Sequence, residues 1–284
     1  MGHTFRQVAG RVLDIDPDSI LIGNGSDDLL TIITRSYVPQ GGLIVSPTPS
    51  YILYRNLAEI QGARFEAVPF TADWQVPHPW PIEGADLTFL PNPNSPSGTM
   101  VGDDAIRRLA ERSPLVLDEA YVDFAEHNGL HLAGKNIIVT RTLSKSYALA
   151  GIRFGYAVAD PAVIRELNKV KDSYNCDVLS LAAATAALED RAYLAQIKQA
   201  ILATRARLAE SLAGLGFAVT PSQANFVWCR RSDRPMKPIY EELKNRRVLI
   251  RWMYYPGYGD GLRITVGTDA EIDILLKELA DILS

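Results

Sequence analysis

The sequence TLSKSYALAGIRFGY, residues 142–156, is the most informative stretch of this chain. The apolar residues 136–140 before it predict a buried strand, and residues 154–159 predict another. Lys145 therefore lies in a loop of small residues between two core elements. We therefore expect this amine to be buried. A desolvated lysine loses its proton readily, and the neutral amine can form an imine with a carbonyl compound. A solvated surface lysine is the alternative interpretation.

Length and composition indicate an ordinary globular protein. The chain has 284 residues, of which 47% are hydrophobic, and a net charge of −4, so nucleic acid is not an expected partner. No run of about 18 apolar residues is present, and the first residues lead directly into a helical pattern. We therefore expect neither a membrane partner nor a secretory signal.

Cysteine and histidine spacing predicts neither a disulfide framework nor a metal site. The two cysteines, Cys176 and Cys229, are far apart in the sequence. His127 and His131 are four residues apart, but Asn-Gly between them interrupts a helix that would place them on one face. A reducing cytoplasm is the expected compartment.

A strand followed by a helix start forms the first candidate binding element. Residues 19–23 predict a strand and residues 29–33 a helix, with Gly25, Ser26 and Asp27 between them. The first N–H groups of a helix have no acceptor within the helix, so this position favours an anion. A plain helix cap explains the same residues equally well.

Strands and helices alternate over residues 19–121, which is typical of a parallel sheet covered by helices on both faces. Tyr51 begins one of these helices directly after the rigid turn 47–50. An aromatic ring at that position can stack on a flat cofactor, although core packing is the more common role of a single tyrosine.

Polar side chains also follow two later strands. Asn94 lies in the proline-rich turn 91–99, PNPNSPSGT, and Asp118 ends the apolar strand that starts at residue 115. Open α/β sheets bind ligands at the carboxyl ends of their strands. A buried Asp118 needs a cationic or hydrogen-bonding partner, and Tyr121 is close enough along the chain to share its site.

The second half of the chain predicts a different organisation. We expect a large domain over residues 1–175, a linking helical stretch over 176–215 and a small α+β domain over 216–284. Arg263 lies inside an apolar strand of this last unit and must find an anion. Arg251 precedes it, and a solvated charge is an equally good interpretation there.

Together these residues resemble the aminotransferases that use pyridoxal phosphate (PLP) and share the aspartate-aminotransferase superfold, and most closely their histidinol-phosphate aminotransferase group. The resemblance extends from GNGSD at residues 23–27 to GLRITVGT at residues 261–268. It implies a large domain with a mixed, mostly parallel sheet between helices, a small C-terminal α+β domain, and a homodimer.

The resemblance also implies roles for individual residues. Lys145 would hold PLP covalently and move a proton, and Asp118 would pair with the pyridine nitrogen. Tyr121 and Asn94 would hydrogen-bond the phenolic oxygen, while Tyr51 would stack on the ring. The phosphate would be bound by a set of N–H groups, hydroxyls and one guanidinium, from Gly25, Ser26, Asp27, Thr142, Ser144 and Arg153.

Two arginines are implied for the substrate. Arg263 would bind its carboxylate, and Arg251 matches a second arginine near the substrate in this group. Ser95 stands where the family usually has the asparagine, which leaves Asn94 one position earlier. The chain also begins later than family members, so we expect it to lack their N-terminal arm.

Three functions are compatible with these motifs. The favoured one is transamination, with an amino acid such as glutamate as donor and a 2-oxo or phosphorylated ketone as acceptor. The second is amino-acid decarboxylation of the phosphothreonine decarboxylase type, since the bond that breaks depends on substrate orientation. The third is a non-catalytic PLP-binding module.

Overall fold

The computed structural model describes residues 2–284. A mixed seven-stranded sheet lies at the centre of the larger domain. Its strands are β1 (Ile20–Gly23), β2 (Leu43–Thr48), β3 (Arg64–Pro69), β4 (Leu87–Pro91), β5 (Leu115–Asp118), β6 (Ile137–Thr142) and β7 (Gly155–Val158). They follow the order β1-β7-β6-β5-β4-β2-β3, and β7 runs antiparallel to both of its neighbours while the other pairs are parallel. The sheet is therefore mostly parallel, as the sequence predicts.

Helices cover both faces of this sheet. They are α1 (His3–Leu13), α2 (Ser26–Tyr37), α3 (Leu53–Gln61), α4 (Asp103–Ala110), α5 (Pro161–Val170) and α6 (Val178–Glu189). α2, α3 and α5 pack on the face that carries Phe89 and Val116, and the other three helices pack on the opposite face. Strand β5 is apolar at three successive positions because both of its faces are buried.

A second, antiparallel sheet forms the smaller domain. Its strands are β8 (Ala218–Thr220), β9 (Phe226–Arg230), β10 (Arg251–Tyr255) and β11 (Gly259–Thr265), in the order β10-β11-β9-β8. One face packs on α7 (Arg191–Gly214), α8 (Met236–Asn245) and α9 (Asp269–Leu283). The other face presents Trp228 and Arg263 to the large domain. Residues 253–260 belong to the β10–β11 hairpin, in which Met253 pairs with Gly261.

The predicted linking stretch, residues 176–215, is divided between the domains. Helix α6 packs against α1 in the large domain, whereas Leu208 and Leu212 of α7 lie in the small-domain core. The connection between domains is therefore α7. Within residues 2–284 no helix has both the length and the apolar composition needed to span a bilayer.

Aromatic side chains fix the small domain against the large one. The ring of Tyr258, at the tip of the β10–β11 hairpin, lies 4.7 Å from that of Trp74, and its hydroxyl donates to the Phe70 carbonyl. On the opposite side, the Arg205 guanidinium donates to the carbonyls of Phe124 at 3.2 Å and Ala224 at 2.8 Å. These contacts hold β11 over the carboxyl ends of the central strands.

Candidate active site

A cavity of about 300 Å³ lies where the central strands end and the small domain covers them. Most of the side chains predicted to form a site line it together, namely Ser26, Asp27, Tyr51, Asp118, Tyr121, Thr142, Ser144, Lys145, Arg153 and Arg263. They come from separate parts of the chain and meet because parallel strands end at one edge of a sheet. Gly25 lies directly behind this lining, while Asn94 and Arg251 are placed elsewhere.

Asp118 is a carboxylate buried at the end of β5, with 5% of its surface exposed. Its Oδ2 accepts a hydrogen bond from the Tyr54 hydroxyl at 2.8 Å, and its Oδ1 accepts from the Ala120 N–H at 3.1 Å. Burial raises the pKa of this carboxyl to about 6, while the two hydrogen bonds act in the opposite direction. The group can therefore carry a charge at neutral pH and would gain from a cationic ligand.

Tyr54 is a cavity residue that the sequence analysis missed. Its ring stacks on Phe89 with centroids 4.6 Å apart and an interplanar angle of 5°. The apolar periodicity of α3 makes it a core residue, which it also is. The available signal was chemical, since a fully buried tyrosine hydroxyl nearly always has a hydrogen-bond partner.

Lys145 lies in the β6–β7 loop, with its Nζ 5.4 Å from the centroid of the Tyr121 ring. The expected burial of this amine is wrong, because the side chain is exposed at the mouth of the cavity. The anchors of the loop are buried instead. The Leu143 N–H donates to the Phe154 carbonyl, the Leu143 carbonyl accepts from the Leu149 N–H, and the Ser146 hydroxyl donates to Asp123. The lysine therefore projects from a fixed base into accessible space.

The start of α2 is shaped to receive an anion. Gly25 precedes it with φ of 82°, and no side chain within the described residues caps the helix. A Cβ at Gly25 would lie 2.7 Å from Arg153 Nη2, so only glycine leaves both the backbone conformation and the guanidinium undisturbed. The first N–H groups of α2 and the arginine consequently face the same space.

Hydroxyls and one carboxylate surround this anion-binding end. The Thr142 hydroxyl donates to Ser144 Oγ at 2.9 Å, and Arg153 Nη2 lies 3.6 Å from Asp27 Oδ2. The Tyr51 hydroxyl donates to the other oxygen of Asp27 at 3.3 Å. Burial, followed by the Asp27 charge, raises the pKa of Tyr51 to about 12. Arg153 and Asp27 are both about half exposed, so their ion pair is weak and an anionic ligand can take the place of Asp27 beside the guanidinium.

The structure corrects the placement of Asn94. Its amide is buried and donates to Ser97 Oγ at 2.9 Å and to the Pro49 carbonyl at 3.2 Å. One bond therefore lies within the turn, and the other ties it to the turn at residues 47–50. Ser95 is the residue of this turn that lines the cavity, and its Oγ accepts from Arg263 Nη1 at 2.6 Å.

The two predicted substrate arginines differ in position. Arg263 lines the cavity, with its Cζ 4.9 Å from the Phe226 ring centroid and its Nε buried without a partner among the described residues. Arg251 lies opposite it in the β10–β11 register but is exposed and outside the cavity lining. Arg263 is thus the better placed of the two to receive an anion.

No arrangement of three or more His, Cys, Asp or Glu side chains suited to a metal ion occurs within residues 2–284. His131 instead lies with its Nε2 2.6 Å from Asp103 Oδ2. The cavity itself combines the buried carboxylate of Asp118, the accessible amine of Lys145 and the uncapped N–H groups at the start of α2.

The model of the family described as aminotransferase class I and II matches residues 3–279 of this chain. The chain belongs to this family. It is a PLP-dependent transaminase, which confirms the resemblance, the enzyme class and the cofactor expected from its motifs.

Two curated relatives of this aminotransferase are named histidinol-phosphate aminotransferase. The protein of Rhodopirellula baltica is 52% identical over 280 residues, which cover 96% of this chain and 77% of the relative. Histidinol-phosphate aminotransferase 1 of Nostoc sp. is 41% identical over 293 residues, covering 99% of this chain and 81% of the relative.

A solved structure supports the same fold. Histidinol-phosphate aminotransferase from Sinorhizobium meliloti, in complex with pyridoxal-5'-phosphate, superposes with a TM-score of 0.90 and 28% identity, over 99% of this chain and 81% of that one. The predicted fold class of this aminotransferase is therefore confirmed.

The cavity of this aminotransferase fits PLP in its chemistry. The cofactor has an aldehyde, a pyridine nitrogen and a phosphate, and the cavity offers Lys145, Asp118 and the start of α2 with Arg153. The Lys145 amine can react with the aldehyde, the Asp118 carboxylate can pair with the protonated nitrogen, and the start of α2 with Arg153 can bind the phosphate.

Proposed function

We propose that this aminotransferase interconverts histidinol phosphate and its phosphorylated ketone, with glutamate as the amino donor. The observation that carries the substrate assignment is the 52% identity to the Rhodopirellula baltica protein of that name over nearly the whole chain. The same assignment favours a biosynthetic enzyme of the cytoplasm, a location with which the two free cysteines agree.

We assign cofactor contacts to individual residues on the basis of the cavity. Asp118 faces the pyridine nitrogen, and the charge of its carboxylate keeps that nitrogen protonated. The N–H groups of Ser26 and Asp27 bind the phosphate. The other members of this phosphate site are hydroxyl and guanidinium groups, from Thr142, Ser144 and Arg153. Bound PLP supplies an acceptor for the electrons left on the substrate α-carbon.

Lys145 and Arg263 then act on the substrate. The Lys145 amine would take the proton from the substrate α-carbon, and its exposed side chain is free to move toward that atom. Arg263 orients the substrate through its carboxylate. Within residues 2–284 its Nη1 donates to the neutral Ser95 hydroxyl and to no carboxylate, so its charge stays available for an anion.

A homodimer is part of this proposal. Tyr174, Val178 and Leu179 are 76–79% exposed, which is unusual for adjacent large apolar side chains. Asn175, between them, donates to Asp28 Oδ2 at 3.0 Å and so keeps this surface beside the start of α2. A second copy packed there would cover the apolar surface next to the cavity. Sedimentation of the wild type and of Leu179→Glu tests this, with a dimer expected only for the wild type.

Product analysis tests the reaction. The purified protein with PLP is incubated with histidinol phosphate and 2-oxoglutarate, and separately with O-phosphothreonine. Formation of glutamate in the first mixture, with no carbon dioxide in the second, is the expected result. Carbon dioxide release without glutamate formation would instead favour the decarboxylase, and absence of both products would favour a binding module.

A further inference from the structure

Asp118 is a buried carboxylate, and within residues 2–284 no cationic side chain is among the main influences on its pKa. Its pKa depends mainly on burial, on the hydrogen bonds from Tyr54 and Ala120, and on the charges of Asp27 and Glu119. Burial and the two carboxylates oppose its ionisation, so among these main influences only the two hydrogen bonds favour the charged form.

One of these hydrogen bonds comes from a rigid side chain. Tyr54 lies in the first turn of α3 and is fully buried, with its ring stacked on Phe89 and the edge of Tyr51 against it at 5.7 Å. Burial and the neighbouring Asp118 charge hold the pKa of Tyr54 well above its ordinary value, so its hydroxyl remains a donor at any physiological pH. The 2.8 Å bond to Oδ2 therefore comes from a buried hydroxyl that keeps its proton.

We propose that Tyr54 is a positioning residue for the cofactor, which holds the Asp118 carboxylate ionised and fixes its orientation in the cavity wall. This inference rests on the proposed contact between Asp118 and the pyridine nitrogen. Tyr54 acts through its hydrogen bond to Asp118 and does not need to contact the substrate.

The charges around Asp118 set the direction of the expected effect. Seven other titratable or charged side chains line the same cavity. They are Asp27 of α2, Tyr51 and Tyr54 before and in α3, Tyr121 after β5, Lys145 and Arg153 of the β6–β7 loop, and Arg263 of β11. Glu119 is adjacent to Asp118 in the sequence. Removing the Tyr54 hydroxyl leaves burial and both acidic neighbours in place. The pKa of Asp118 then rises above about 6, and its charge is lost at a higher pH as the solution is acidified.

The test is the pH dependence of PLP binding to the apoprotein, followed by the visible absorbance of bound PLP from pH 5.5 to 8.5. In wild type we expect affinity to fall as the pH drops through about 6. In Tyr54→Phe, whose ring still stacks on Phe89, the midpoint should move up by about one pH unit, with near-wild-type affinity at the alkaline end. Tyr37→Phe removes a half-buried hydroxyl from the same core without touching Asp118, and should leave the midpoint unchanged.

Two further measurements separate the possible outcomes. An unshifted midpoint in a folded Tyr54→Phe protein overturns the inference, provided that Asp118→Asn does weaken binding. Should Asp118→Asn bind PLP with the wild-type affinity and absorbance, the proposed contact itself is wrong. If Tyr54→Phe does not fold, 3-fluorotyrosine at position 54 replaces it; the stronger donor should move the midpoint down, and an unchanged midpoint would contradict the proposal.

Discussion

Arg263 of the small domain donates from Nη1 to Ser95 Oγ of the large domain at 2.6 Å. The pair joins a strand of one domain to the turn after β4 of the other, directly at the cavity. Since the serine is neutral, the guanidinium enters the cavity with its charge unbalanced by this contact, and the position of the small domain determines where that charge lies.

Arg263→Lys is expected to raise the KM for glutamate about 10- to 100-fold while changing kcat less, because an ammonium keeps the charge but loses the planar fork that binds a carboxylate. Steady-state kinetics at saturating acceptor measures both constants. Ser95→Ala is the matched control. It removes the 2.6 Å contact but leaves the guanidinium, and an equal rise in KM in this variant would show that domain contact, rather than charge, determines donor binding.

Gly25→Ala is expected to weaken PLP binding by more than about tenfold, because the added Cβ would lie 2.7 Å from Arg153 Nη2 and displace it. Gly41→Ala is the control, since Gly41 has a similar φ of 78° but nothing within 4 Å of a Cβ. Both substitutions place an alanine at positive φ, at a backbone cost of about 1–3 kcal/mol; Gly25 also has a ψ of 170°, outside the left-handed helical region. Titration of each apoprotein with PLP separates the two effects, and equal affinities would contradict the role of Gly25 beside Arg153.

Asp118→Asn is expected to stabilise the apoprotein while lowering turnover by about 100-fold or more. Burial raises the pKa of Asp118 from 3.8 to about 6, so the folded protein binds this proton more tightly than the unfolded chain does. That stabilisation is complete below pH 4 and is lost as the pH rises through 6. At pH 7 the ionised carboxylate therefore costs up to about 3 kcal/mol.

Urea denaturation of the apoproteins at pH 7 and pH 4 measures this cost. The variant should be the more stable protein at pH 7, and the difference should shrink at pH 4. A wild type that is at least as stable as Asp118→Asn at pH 7 would mean that the carboxylate is better compensated than its contacts indicate.

Removing one charge of the buried Arg141–Glu119 ion pair should lower the free energy of unfolding far more than removing a charge of an exposed pair. Arg141 donates to Glu119 Oε2 from Nε at 2.9 Å and contacts it from Nη2 at 2.8 Å. Arg141→Met leaves that carboxylate buried and unpaired, at a cost of about 3–5 kcal/mol in the free energy of unfolding. Replacing both residues with apolar ones should recover much of this loss.

The exposed pair Arg11–Glu189 is the control for this measurement, because Arg11→Met should cost no more than about 1 kcal/mol. Chemical denaturation of the three variants gives the comparison. A loss in Arg141→Met as small as that in Arg11→Met would show that the Glu119 carboxylate finds another partner.

The sequence predicts the large domain well because its central strands are short, mostly apolar runs separated by helical patterns. The run 115–117 and Asp118 illustrate this, since burial on both faces requires the first and a site at the strand end explains the second. The order of the motifs along the chain then indicated the family and its fold, and both are confirmed. What it could not supply was the direction in which individual side chains point.

Four residues show where that limit lies. Asn94 and Ser95 are adjacent, and only the fold of the turn determines that the serine faces the cavity. Tyr54 has the periodicity of a core residue, and its bond to Asp118 joins positions 64 residues apart. Lys145 lies between buried strands in sequence, yet the loop that carries it turns outward.

The central claim is that Lys145 holds the cofactor in this cavity, and covalent trapping tests it most directly. The protein is incubated with PLP, reduced with borohydride, digested and examined by mass spectrometry. The account predicts one modified peptide, which carries the reduced cofactor on Lys145, and no modification in Lys145→Ala. A cofactor fixed to another lysine, or equal labelling of Lys145→Ala, would contradict it.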